Sequence, residues 1–374
     1  MPSISAERLL AEIAALARIG GRPDGGVDRL AGSDADIEGR HWFADRLRDA
    51  GLEVEIDDLN NVFGHPAGAG PWLLLGSHTD TVPAGGRLDG AYGCLAALEV
   101  VRTLRNAGHP AGERIAVADF HNEEGVVPTG FDGSIRFCQS AWVGTVRGYL
   151  EVHIEQGPRL EAENLDLGVV DGIVGIDRYA VTVVGAANHA GTTPFAYRRD
   201  AGRVAAQFIG HLPELVQDVD PAMVANVGSV TFEPGAPNVI PGVARFVLEM
   251  RAMERSALDR AVEAVRGDLE GLAGSRCTMT VEPLHSFPPQ ALDRAYVAAL
   301  ERVCERLGRP YRRLTSGAGH DAEILARHVP AAMLFVPSHD GVSHSPLEHT
   351  DDAHLALGCQ ALLEGALELV GADG

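Results

Sequence analysis

The sequence predicts an α/β domain with a mixed sheet, interrupted by an inserted α+β unit of ferredoxin-like pattern. Three observations carry that reading. Up to residue 157, short apolar runs alternate with segments of helical periodicity, and the runs end in residues able to do chemistry. Around residues 172–175 the texture changes to strand, helix, strand, strand, helix, strand, the order of a split βαβ sandwich. From residue 291 the α/β alternation resumes. The expected boundaries are 1–174 with 289–374 for the α/β domain and 175–288 for the insertion.

Taken in order, residues 4–18 and 34–50 have helical spacing, 51–56 alternates like a strand, and 60–64 turns into another. Pro71-Trp-Leu-Leu-Leu is short, wholly apolar and stops at Gly76, the mark of a buried parallel strand. A helix is expected over 91–107 and a strand over 114–120. A further apolar run ends at 152–157. In the insertion, strands are expected near 178–185, 222–232, 244–251 and 277–282, with helices over 200–211 and 254–272. Helix 291–307, strand 331–337 and helix 350–370 complete the chain.

Composition narrows the function. The 374 residues carry a net charge of −21, which argues against nucleic acid or an anionic membrane as partner, since both select basic patches. An anionic substrate would then need a local basic pocket. The five cysteines are scattered and odd in number, with no CxxC pair, so neither a disulfide framework nor a zinc knuckle is expected. The first 21 residues lack the basic start and unbroken apolar run of a signal peptide, and no stretch reads as a membrane span. A cytoplasmic protein is the expectation.

The chemistry concentrates at strand ends. GSHTDTVPAGGRLDGAYG, residues 76–93, places His78, Asp80 and Asp89 where an open α/β sheet binds ligands. One His and two carboxylates there suit a divalent cation; the plainer meaning is a polar pair on a loop. Glu123 and Glu124 directly follow a strand, and as neighbours they point different ways, so one can bind a cation while the other faces water. An acidic, solvated loop is the commoner meaning of such a pair. His153 lies at a strand end. His344, framed by Ser343, Ser345 and Pro346 after a glycine turn, is the best ligand among the six histidines of the tail.

These stretches, with NEEG at 122–125, HIEQGPRLE, NHAGTTPFAYRRDA, PNVIPG, SGAGHDAE and FVPSHDGVSHSPLE, make the chain resemble the M20 metallopeptidase clan. Within it, the resemblance is to the group of N-carbamoyl-L-amino-acid hydrolases, β-ureidopropionase and allantoate amidohydrolase. The resemblance implies a two-metal site held by His78, Asp89, Glu124, His153 and His344, with Asp89 bridging. The metals would be zinc, with manganese, cobalt or nickel as alternatives. It implies that Asp80 orients His78, that Glu123 is the general base, and that His189 stabilises the oxyanion from a neighbouring subunit. Asn238 and Arg251 would clamp the substrate carboxylate, and Gln156 and His320 would meet its carbamoyl or amide end. Taken without the resemblance, Arg251 is a strand arginine and Asn238 a turn residue before Pro241. The insertion would serve as lid and dimerisation domain of a homodimer. The substrate would be a small anionic amide, an N-carbamoyl-L-amino acid first. Allantoate, another ureido acid, an N-acyl amino acid or a dipeptide are alternatives, and so is a homologue without catalysis, against which the retention of both glutamates speaks. One departure stands out. His153 follows Glu124 by only 29 positions, a shorter interval than the group usually has, with GS preceding RF rather than following it.

Overall fold

The structure is a computed structural model and describes residues 2–125 and 130–371; residues 126–129 of the shortened Glu124–His153 interval lie outside them. The chain divides into two units, Met1–Ile173 with Ala291–Gly374, and Val174–Gln290. In the first, the helices are α1 (Ala6–Leu16), α2 (Asp34–Asp49), α3 (Ala91–Asn106), α4 (Asp132–Gln139) and α5 (Arg159–Ala162). Its strands up to the second unit are β1 (Glu53–Ile56), β2 (Val62–His65), β3 (Trp72–His78), β4 (Ile115–Phe120), β5 (Val146–Ile154) and β6 (Leu167–Ile173). The second unit holds β7 (Gly175–Val184), β8 (Asn188–His189), β9 (Val224–Glu233), β10 (Val239–Ile240), β11 (Val243–Ala252) and β12 (Thr278–Phe287), with α6 (Ala201–Val219) and α7 (Arg255–Ala273). The chain ends with β13 (Gln290–Ala291), α8 (Arg294–Leu307), β14 (Tyr311–Ser316), α9 (Asp321–Leu325), β15 (Ala331–Val336) and α10 (Asp352–Gly371).

The first unit is built on a mixed sheet of order β1-β2-β4-β3-β5-β15-β6-β13, with β14 pairing β6 off that path. β4, β3, β5 and β15 run parallel to one another. Every residue of β3, β4 and β15 is buried, which is why their sequences are near-continuous apolar runs rather than alternating ones. Because the four strands share a direction, the residues at their carboxyl ends gather at one edge of the sheet.

In the second unit the sheet order is β12-β7-β11-β9, antiparallel throughout, so the element sequence β-α-β-β-α-β folds as a ferredoxin-like sandwich. Alternate residues of β11 from Ala244 to Ala252 are buried, and Phe208, Leu212 and Val216 of α6 and Leu258, Val265 and Leu269 of α7 join them in one apolar core.

Several elements depart from the sequence reading. α6 runs on past His211 to Val219 with Pro213 inside it, because Phe208, Leu212 and Val216 repeat every four residues and bury one stripe. His189 lies in the short strand β8, paired with Val239. β6, β14 and α4 were not expected. α10 is long and apolar enough to cross a membrane; however, 61% of its apolar window is buried, which makes it a core helix.

Candidate metal centre

β3 ends at His78, β4 at Phe120 just before Glu123 and Glu124, β5 carries His153 next to its last residue, and β15 leads to the loop bearing His344. Asp89 comes from the loop between β3 and α3. Gly90 then opens α3 with φ +62°, and a Cβ there would lie 2.3 Å from His78 Nε2, so only glycine lets the helix start against that ring.

Asp89 is the centre of the cluster. Its Oδ1 lies 3.1 Å from His153 Nε2 and 3.9 Å from His78 Nε2. Its Oδ2 lies 3.1 Å from His344 Nε2, which is itself 3.3 Å from Glu124 Oε2. Two groups of potential ligands, His78–Asp89–His153 and Asp89–Glu124–His344, therefore share one carboxylate. Glu124 Oε1 is buried without a hydrogen-bond partner. An enclosed carboxylate oxygen without a donor is costly, and a cation would satisfy it. Imidazole with carboxylate is a donor set for zinc, manganese, cobalt or nickel.

The neighbours set the rings. His78 Nδ1 donates to the Asp80 carbonyl at 3.1 Å, and His153 Nδ1 to the Ile154 carbonyl at 2.8 Å, which leaves each Nε2 to face Asp89. The partner of His78 is thus the main chain of Asp80. The Asp80 carboxylate stands 3.8 Å away and is taken up by Arg40 at 3.1 Å. Arg40 is a residue that sequence reasoning missed. Its buried guanidinium also holds Asp36 at 2.8 Å and Asp119 at 3.0 Å, and Asp80 in turn accepts the amides of Glu123 and Glu124 at 3.4 and 3.3 Å. α2 is thereby tied to the loop that carries both glutamates.

The charges follow from this enclosure. Burial, reinforced by the charges of Asp321, Glu124, Asp89 and Asp80, pushes the Glu123 carboxyl well above the usual range. Its Oε2 lies 3.6 Å from His78 Nε2. Burial lowers His78. It also opposes protonation of His153, but the bond to Asp89 outweighs it and lifts His153 to about 9. Asp89 likewise raises His344.

Gln156 donates to Asp89 Oδ2 at 2.8 Å, at the cluster itself. His320 is buried, packs on His153 with ring centroids 4.7 Å apart and meets the Ser316 hydroxyl at 2.9 Å. Glu151, His153 and His320 form a third group of possible ligands, but Glu151 already accepts from Ser77 at 2.7 Å and Tyr149 at 3.0 Å, a satisfied hydrogen-bond network.

The remaining candidates lie in the second unit. His189 is exposed, and its Nδ1 accepts from the amides of Gly191 and Thr192 at 3.0 and 3.2 Å, leaving Nε2 as the donor. The carbonyl of Asn238 accepts from Ala190 at 3.0 Å, so Asn238 borders the same short ladder. Arg251 on β11 holds Glu249 at 2.8 Å, and Glu249 also takes Arg178. The expected carboxylate clamp already carries a carboxylate of its own.

A family model described as peptidase family M20/M25/M40 matches residues 74–368. The chain belongs to this family. The M20 match spans the strand ends that bear the cluster, and the family's enzymes are metal-dependent hydrolases. Among curated relatives, an N-carbamoyl-L-amino acid amidohydrolase of Geobacillus stearothermophilus is 34% identical, covering 98% of this chain and 99% of its own. An allantoate amidohydrolase of Escherichia coli is 32% identical over 93% of this chain and 94% of its own. The solved structure of a hydantoinase/carbamoylase family amidase from Burkholderia ambifaria superposes with a TM-score of 0.90 at 35% identity, covering 98% of both chains.

Proposed function

We propose that this M20 enzyme is a metal-dependent amidohydrolase that removes the carbamoyl group of an N-carbamoyl-L-amino acid. The observation that carries the reading is Asp89, whose two oxygens face two different ligand groups. His78 and His153 would hold one divalent cation, Glu124 and His344 the other, and Asp89 both; zinc is the first choice, with manganese, cobalt or nickel suiting the same donors. When bound, the cations acidify a water and polarise the scissile carbonyl. Glu123, close to the ligands but outside both groups, takes the water's proton and passes it to the leaving nitrogen. Gln156 offers an amide to the carbamoyl end beside Asp89.

The substrate class rests on the likeness to the Geobacillus enzyme. Allantoate is the second reading, supported by a likeness of similar strength. Ammonia release from N-carbamoyl-L-amino acids and allantoate, with release of the free amino acid from N-acetyl amino acids, decides between them. Carbamoyl substrates should give the highest kcat/KM, and a preference for allantoate would overturn the first reading. His189 as oxyanion donor, Asn238 and Arg251 as carboxylate contacts, the second unit as lid and the homodimer complete the proposal, in a cytoplasmic protein whose five cysteines are all free. If His189 serves the partner's site, mixing inactive His189→Ala with inactive Glu123→Gln protein restores activity once subunits exchange. Proven exchange without activity would place His189 in its own chain's reaction or in none.

A further inference from the structure

We infer that Glu348 is a positioning residue that sets the separation of Asp89 and His344, and with it the second cation position. This rests on the two-cation reading above. Glu348 is 5% exposed and lies four residues after His344, yet its carboxylate reaches back to the loop before α3. Oε1 accepts from the amides of Leu88 and Asp89 at 2.8 and 3.1 Å. Oε2 accepts from the Ser343 hydroxyl at 2.9 Å, and that hydroxyl also lies 3.1 Å from Asp89 Oδ2. One side chain thus fastens the main chain of Asp89 to Ser343, the residue adjoining His344, across 254 positions of sequence.

The geometry marks a clamp rather than a further ligand. Both oxygens are taken by backbone or hydroxyl donors, and Glu348 is in neither ligand group. The fold leaves room for it: a Cβ on Gly86 would lie 2.0 Å from Glu348 Oε1. Gly86 therefore adjoins the carboxylate's seat, and a methyl group there would evict it. A clamp is needed on this side because His344 sits in a loop with φ +54°, a conformation uncommon for a residue with a side chain, rather than at the end of a core strand.

The test uses full-length protein stripped of metal, titrated with cobalt(II) and analysed for bound cation, alongside kcat, KM and thermal unfolding of the metal-free form. Wild type should bind two cations per chain. Glu348→Ala should hold the second about 10–100-fold more weakly, with kcat falling in step and KM unchanged. Glu348→Gln keeps the acceptor for both amides, and its amide group can donate to Ser343, so it should recover most of the affinity. Gly86→Ala displaces the same carboxylate without altering it and should reproduce Glu348→Ala; it also serves if Glu348→Ala does not fold. Two cations bound at wild-type affinity by Glu348→Ala or Gly86→Ala would overturn the inference. So would a Glu348→Gln protein as defective as Glu348→Ala, since charge and not the clamp would then matter. A fall in metal-free stability that accounts for the whole loss would overturn it as well. Fewer than two cations in wild type would instead overturn the two-cation reading, and this inference with it.

Discussion

Asp89 looks toward two kinds of histidine. His78 and His153 are 1% exposed, stand at or next to the ends of parallel core strands, and each has Nδ1 fixed by a backbone carbonyl. The His344 side chain is 48% exposed and hangs on a loop. The first pair is placed by the core that forms the sheet. The second side is placed by hydrogen bonds among Gln156, Ser343, Glu348 and Asp89. Ligands built into a core should therefore couple to stability, whereas a ligand held by polar contacts should couple chiefly to cation binding.

Glu123 should produce the largest effect while touching neither side's occupancy. Glu123→Gln removes the proton carrier and leaves both ligand groups whole, so kcat should fall by roughly 10²–10⁴-fold with cation content unchanged. Loss of a cation in this variant would move Glu123 into the ligand set and redraw the buried side. Next comes the contrast between the histidines themselves. His153→Ala empties a buried position and takes the near partner from Asp89 Oδ1, and should cost about 1–3 kcal/mol in denaturant unfolding of the metal-free protein. His344→Ala should change that stability by no more than about 0.5 kcal/mol. Equal costs would erase the distinction.

A pH dependence follows on the buried side, carried by His153. His153 binds its proton more tightly in the folded metal-free chain, at about 9 against an ordinary 6.5. A raised pKa stabilises the folded state fully below the unfolded value and loses that contribution as pH rises through the folded one. The His153 contribution to the stability of the metal-free protein should therefore decline between about 6.5 and 9, by at most about 1.4 kcal/mol per pH unit, and His153→Ala should make the overall slope shallower. A slope undiminished in His153→Ala would assign it to other groups.

The buried side was legible in the sequence, and much of what positions the exposed side was not. Trp72–His78 and Ile115–Phe120 are buried along their whole length, so their composition alone marks them as strands and their ends as the site. Leu167–Ile173 is broken by glycines and Asp171, and Tyr311–Ser316 carries two arginines, so neither has a strand's local pattern. Sheet pairing makes them strands. α6 was cut short at His211 because proline counts locally against a helix, while the buried stripe that overrides it is tertiary. Arg40 and Glu348 act through partners 79 and 260 positions away, a relation no spacing rule reaches. For His189, Asn238 and Arg251 the sequence offers residue types without neighbours, and only the fold reveals that Glu249 already holds Arg251.

The sharing of Asp89 is the point on which both sides depend, and counting cations tests it most directly. Metal-free wild type and Asp89→Ala, each loaded with excess zinc, separated from free metal and assayed by elemental analysis, should give two cations per chain for wild type and fewer than one for the variant. Two cations retained by Asp89→Ala would mean that the two histidine groups hold their metals independently, and the shared-carboxylate account would be wrong.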